Sequence, residues 1–355
     1  MPEASRAPAR WRGCWATPLV GLAGGGLASL IGWPLPWIIG PLLAVIAARC
    51  SGWLIGELPG GRPTGQWLVA SGIGLHFTEE VMSQLLAHFA VVLAGACATL
   101  LLSLIGIALL RRAGVDRATA FFASMPGGAS EMVNLAGRHE AQIARVAAAH
   151  SLRLLLVVLL IPALFTWSLP PITPPPPAAM DWAWLALLLP AGALLALLWK
   201  RLGQPNPWML GPLTVCAVAS VSFDLQLGLP PGAGQLGQWL IGCALGCHFD
   251  RAFFRSAPAF LARILLFTLL AMLGAGLLAG ALGWLAGQPS TSLALGMMPG
   301  GITELCLTAE ALQLSVALVT ALQVLRLFLV MFLAEPLFRL WQRRRPLPRL
   351  DRDQA

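Results

Sequence analysis

Two stretches of this chain constrain its fold more than anything else in it. Leu85–Leu110 and Trp182–Trp199 contain no Asp, Glu, Lys or Arg, and as helices each is long enough to cross about 30 Å of hydrocarbon. In that medium the backbone must satisfy its own hydrogen bonds, which makes helices the expected elements. Composition agrees. The chain is 57% hydrophobic and 11% charged with a mean hydropathy of +0.77, whereas an ordinary soluble domain is about a quarter charged. The net charge of +8 comes mostly from arginine in short loops and at the ends. That pattern reads as membrane topology rather than nucleic-acid binding.

The seven cysteines are scattered and suggest no disulfide framework. Cys243 and Cys247 stand i,i+4 with His248 following, but a metal would want further ligands nearby, and small core residues are the reading adopted. The basic start followed by an apolar run from Pro18 has the look of a signal sequence. It is also the first span of a repeat, so it is read as a retained helix.

That repeat sets the architecture. Gly32-Trp-Pro-Leu-Pro-Trp-Ile-Ile-Gly-Pro-Leu42 returns as Gly203-Gln-Pro-Asn-Pro-Trp-Met-Leu-Gly-Pro-Leu213, an offset of 171. Gln66-Trp67-Leu68 to His76-Phe77 returns as Gln238-Trp239-Leu240 to His248-Phe249, an offset of 172. Met-Pro-Gly-Gly-Ala-Ser-Glu at Met125–Glu131 returns as Met-Pro-Gly-Gly-Ile-Thr-Glu at Met298–Glu304, an offset of 173 shared by Arg153 and Arg326. The division expected is a cytoplasmic arm at 1–17, repeat 1 at 18–169, a proline-rich periplasmic linker at 170–180, repeat 2 at 181–340 and a basic cytoplasmic tail at 341–355. The linker follows from Pro170–Pro177, which cannot be a buried helix.

Loop charges orient the halves. Arg49, Arg62, Arg111, Arg112 and Arg117 mark inside loops of the first half, and Glu79 and Glu80 an outside one. In the second half Lys200, Arg201, Arg251 and Arg255 fall on loops whose first-half counterparts are outside. Matched loops change sides, so the repeats are inverted and each has an odd number of crossings. The expected fold class is an all-α polytopic membrane protein with about ten transmembrane helices in two inverted-topology repeats, with broken or re-entrant segments at the Pro-Gly-Gly motifs. Both termini then lie on the cytoplasmic side of the membrane.

Inverted repeats with interrupted helices are a recurring plan of secondary transporters. Gly127, Gly128, Gly300 and Gly301 are expected to permit the helix break, and Ser130 and Thr303 to cap the helix that follows. Exposed amides there attract an anion. Glu131 and Glu304 are either first-turn carboxylates that stabilise helix starts or residues of a polar cavity. Arg153 and Arg326, deep in apolar runs, need a partner: a glutamate, or a carboxylate of the substrate. Asn134 belongs to the same segment and is matched by Leu307. The expected substrate-binding set is therefore these eleven residues. No catalytic residue, metal ligand or cofactor is expected, and the protein is read as no enzyme.

The duplicated Pro-x-Pro-Trp-x-x-Gly-Pro-Leu elements and paired Met-Pro-Gly-Gly motifs resemble the AbrB-type bacterial membrane protein family, over about Pro18 to Leu340. The resemblance implies a duplicated hydrophobic domain. It also brings two labels, regulator of gene expression and ammonia monooxygenase, and it is distinct from the soluble DNA-binding regulator of the same name. Oxygen chemistry on copper or iron needs gathered His and carboxylate ligands, and the five histidines show no such spacing. The reading carried forward is a secondary transporter of a small polar or anionic solute, with a membrane regulator or sensor as the alternative. Expected partners are membrane lipid and a small-molecule or ion ligand, with no direct nucleic acid and self-association left open.

Overall fold

The computed structural model describes residues 15–169 and 179–343. Most of the expected N-terminal arm, linker and tail lie outside them. Among the described residues the chain forms sixteen helices and no strand beyond an isolated bridge between Ala179 and Leu227. The first eight are α1 Ala16–Leu30, α2 Pro36–Cys50, α3 Gly61–Leu75, α4 Glu79–Ala87, α5 Phe89–Arg112, α6 Arg117–Ser124, α7 Ala129–Arg138 and α8 Ile143–Ser168. The next eight follow in the same order: α9 Trp182–Arg201, α10 Pro207–Phe223, α11 Ala233–Gly246, α12 Arg251–Ser256, α13 Pro258–Ala286, α14 Ser290–Met297, α15 Ile302–Ala311 and α16 Val316–Arg343.

Backbone irregularities fall at matched places. Leu35 and Asn206 both take left-handed angles, φ 50° and 45°, immediately before the prolines that open α2 and α10. Glu140 and Gln313 do the same at φ 55° and 51°, between α7 and α8 and between α15 and α16. Non-glycine residues seldom sit there, so these paired positions are set by the fold around them.

Five helices, α5, α8, α9, α13 and α16, are long and apolar enough to cross a membrane, while α1, α2 and α10 are apolar but only 15 to 17 residues long. The span expected from Leu85 is two elements. Thr78 caps α4, its hydroxyl accepting from the Val81 amide at 3.3 Å, and Glu79 and Glu80 form that helix's first turn. The acidic loop read from the sequence is therefore a helix start, where carboxylates favour the amino-terminal dipole.

The helices pack in two groups. In one, α1 lies on α2, α9 on α10, and α3 and α11 lie on each other and on α10 and α2 respectively. In the other, α5 and α13 pack together and carry the last helices, α13 touching α8 and α5 touching α16. Each group draws on both halves of the chain. The pairs α6–α7 and α14–α15 belong to the second group, and each is a helical hairpin rather than a broken span. The Gln142 amide, just past α7, donates to Thr119 Oγ1 in α6 at 2.8 Å, and the Ser315 amide donates to Ser292 Oγ in α14 at 3.2 Å. Each pair thus enters and leaves at one end and places its Pro-Gly-Gly at the tip.

Candidate functional site

The hairpin tips differ from the sequence expectation in how they are built. The amino-terminal caps of α7 and α15 are Gly128 and Gly301, with no side-chain cap bond. Ser130 and Thr303 do not cap. Ser130 is exposed, and Thr303 is buried with its hydroxyl directed at Met209 Sδ, 3.5 Å away. The glutamates take the position next to the cap instead. A Cβ placed on Gly128 would lie 1.9 Å from Glu131 Oε2, and one on Gly301 would lie 2.1 Å from Glu304 Oε2. Each carboxylate is therefore folded back over its own helix start, where free amides and the dipole favour a negative charge.

The glycines serve this closeness rather than an unusual backbone angle. Gly128 has φ −62° and Gly301 φ −83°, values open to any residue. Gly127 and Gly300 meet the opposite half of the chain. A Cβ on Gly127 would stand 2.8 Å from Val330 Cγ1 of α16, and one on Gly300 would stand 2.7 Å from Val157 Cγ1 of α8. Val157 and Val330 share the 173-residue offset.

Both arginines reach the tips. Arg153 donates from one terminal nitrogen to Met125 O at 3.0 Å, and Arg326 donates to Met298 O at 2.6 Å and to Gly300 O at 2.7 Å. Carbonyls left open where α6 and α14 end thus receive a cation at the favourable end of the dipole. Each guanidinium is oriented by the residue three positions earlier. Arg153 donates to His150 Nδ1 at 2.8 Å, and His150 Nε2 meets Phe122 O at 3.0 Å. An accepting Nδ1 requires the proton on Nε2, so this geometry fits the neutral imidazole. Arg326 donates to Gln323 Oε1, while Gln323 Nε2 donates to Gly296 O at 2.7 Å. His150 and Gln323, different in sequence, make the same bridge.

These groups face one cavity of about 710 Å³. All eleven candidate residues border it: Gly127, Gly128, Ser130, Glu131, Asn134 and Arg153 from the first half, and Gly300, Gly301, Thr303, Glu304 and Arg326 from the second. The opposite wall comes from the other helix group, with Arg62 and Gln66 of α3, Lys200 of α9 and the Gly203–Pro207 turn. Gln66 Nε2 donates to Asn206 Oδ1 at 3.2 Å within that wall. Four cations and two carboxylates border the space, a net of +2 with His150 neutral. Arg153 and Arg326 are only 6% and 4% exposed, and among the described residues no carboxylate lies within 4.0 Å of either. The arginine–glutamate pairing left open by the sequence is not made.

The two halves present the cavity unequally. On α7 Ser130 and Asn134 are exposed and Glu131 is half-buried, whereas on α15 the matched Thr303, Leu307 and Glu304 are buried. The α15 face is closed by packing against α3. Likewise Gln66 and the Gly203–Pro207 turn border the cavity while their counterparts Gln238 and Gly32–Pro36 do not. Sequence reasoning missed the far wall, although Gln66 and Pro205-Asn206-Pro207 lie inside repeated segments that could have pointed to it. Away from the cavity, His76 and His248 are exposed just past the ends of α3 and α11. Among the described residues no three His, Cys, Asp or Glu side chains gather where a metal could be held.

A family profile described as "Transition state regulatory protein AbrB" matches residues 37–342 of the chain. The protein is 28% identical to "Uncharacterized protein YhjN" of Bacillus subtilis strain 168, over 90% of this chain and 91% of that one. It is also 28% identical to "Putative regulator AbrB" of Escherichia coli strain K12, over 84% of this chain and 87% of that one.

Proposed function

The chain belongs to the AbrB family, and on that premise we propose that it is a secondary transporter of a small anionic solute in the bacterial inner membrane. The observation that carries this reading is the meeting of both hairpin tips and both buried arginines on one cavity with a net positive lining. A buried guanidinium without a carboxylate is costly. A transported anion would supply the missing charge.

The matched helix order, the paired left-handed residues and the reciprocal Gly127–Val330 and Gly300–Val157 contacts support an inverted duplication. In that arrangement α1, α2, α3, α5 and α8 cross, as do α9, α10, α11, α13 and α16. The hairpins then dip in from opposite sides, and both termini are cytoplasmic. The open α7 face and closed α15 face correspond to one state of an alternating cycle, with the solute site exposed toward Lys200 and Arg62. Exchange of these roles would open it to the other side. The partners are the solute and membrane lipid; no chemistry is performed on the solute, and no nucleic acid is bound directly.

Purified full-length protein reconstituted into proteoliposomes, with a panel of labelled small anions inside or outside and an imposed proton or sodium gradient, tests this. Uptake above empty vesicles, lost in Arg326→Gln, is expected. Saturable anion binding with no flux of any bound anion would refute transport and turn the site into that of a sensor.

A further inference from the structure

Two guanidiniums constrain the charge pattern of any solute the cavity takes. Arg153 and Arg326 are more than nine-tenths buried, border the same cavity, and have no carboxylate within 4.0 Å among the described residues. The two carboxylates that border the cavity, Glu131 and Glu304, are committed elsewhere, each folded over Gly128 or Gly301 at its own helix start. The acceptors the arginines do have are backbone carbonyls, His150 and Gln323. These satisfy part of the hydrogen-bonding capacity and none of the charge. An arginine offers five donors in a planar fork suited to carboxylate or phosphate oxygens. Neither Nε is engaged among the bonds of the described residues.

We infer that the cavity takes a solute carrying two anionic groups, one held by Arg153 and the other by Arg326. This rests on the cavity being the solute site, not on the solute being moved. A monoanion would leave one guanidinium uncompensated in a site closed by buried Thr303 and Glu304. A dianion offsets the formal lining charge of +2, counted with both glutamates ionised. Ser130 and Asn134 on the exposed face of α7, with Gln66 opposite, offer neutral hydrogen-bonding partners for a hydroxyl or carbonyl between the two groups. The cavity, at about 710 Å³, falls in the range of small-molecule sites.

The experiment uses the full chain in detergent and measures binding by titration calorimetry and by the shift in unfolding temperature. The probes are linear dicarboxylates from malonate to adipate, each beside its half-amide and diamide, so that charge changes at constant length. At the preferred length the dicarboxylate is expected to bind about ten- to a hundred-fold more tightly than the half-amide, the worth of one charged hydrogen-bonded pair. The diamide should give no shift. Arg153→Gln and Arg326→Gln are each expected to bring dicarboxylate affinity down to that of the half-amide, with partial recovery in the matching lysine variants. Half-amides binding as well as dicarboxylates at every length would overturn the inference, as would undiminished dicarboxylate binding in a folded glutamine variant. If the glutamine variants fail to fold, the unmodified protein's ligand series alone decides. Flux separates the two ideas: tight dicarboxylate binding without transport sinks only the transporter reading, and transport confined to monoanions sinks only the dianion.

Discussion

Gly127→Ala probes the contact through which one half of the chain braces the other. The new Cβ would meet Val330 Cγ1 at 2.8 Å, Met132 Cε at 3.1 Å and Met132 Cγ at 3.2 Å. Carbon atoms normally rest about 3.5 to 4.0 Å apart, so roughly 1 Å must be found. Met132 can turn its flexible end aside. Val330 cannot do so easily, being β-branched with stiff χ1 and only 1% exposed. Overpacking of this kind costs about 1 to 3 kcal/mol, offset by about 0.4 to 1 kcal/mol from the less flexible unfolded chain. Helix propensity contributes nothing, since Gly127 lies between α6 and α7. Val330→Ala alone should cost about 1.5 kcal/mol for two lost methyl groups. The double variant should then be more stable than the sum of the single effects by about 1 to 2 kcal/mol. Denaturant titration of the four proteins in micelles measures this, and Gly300→Ala with Val157→Ala repeats it on the other side. Additivity within about 0.5 kcal/mol would show that the tip does not bear on α16.

Three further outcomes are expected. Glu131→Gln should leave folding intact and raise the net charge of the cavity lining, tightening anion binding severalfold in a calorimetric titration; weaker binding would mean the carboxylate contacts the solute through a cation. His150→Gln should be tolerated because Gln323 already makes that bridge, whereas His150→Leu should cost about 1 to 3 kcal/mol in denaturant unfolding through the acceptor lost to Arg153; equal stability of the two variants would remove His150 from that role. On a cysteine-free background, a cysteine at Ser290 should react with an impermeant reagent added outside cells and one at Arg112 should not, and the reverse pattern would overturn the inverted topology.

The recurring motifs made the candidate site legible because each occurs twice in the sequence. Pro126-Gly127-Gly128 and Pro299-Gly300-Gly301 could be found without any structure, and so could the arginines at one offset. What pairs them was not legible. The sequence placed a glutamate about 22 residues before each arginine and left ion pairing open. Only coordinates reveal that the carboxylate turns back onto its helix while the guanidinium serves the carbonyls of the other hairpin limb. Capping by Ser130 and Thr303 was expected from a preference that holds for isolated helix starts. Here the helix starts two residues too early for them, at Ala129 and Ile302, so that Gly128 and Gly301 hold the cap position. The equivalence of His150 and Gln323 was hidden because the two share no likeness as residues, only a hydrogen-bonding pattern of one acceptor and one donor.

The unequal helix lengths have a mechanical consequence. Helices α1, α2, α3, α10 and α11 have 14 to 17 residues, about 21 to 26 Å at the α-helical rise. Helices α5, α8, α13 and α16 have 24 to 29 residues, about 36 to 44 Å. In the ten-crossing arrangement proposed above, a bilayer meeting both would thin along one flank and thicken, or tilt the helices, along the other. The cavity lies between these flanks, so sliding one past the other would drag the lipid boundary with it. Acyl-chain length thereby becomes a lever on the protein: shorter lipids should favour whichever arrangement leaves more of the short-helix flank in contact with the bilayer.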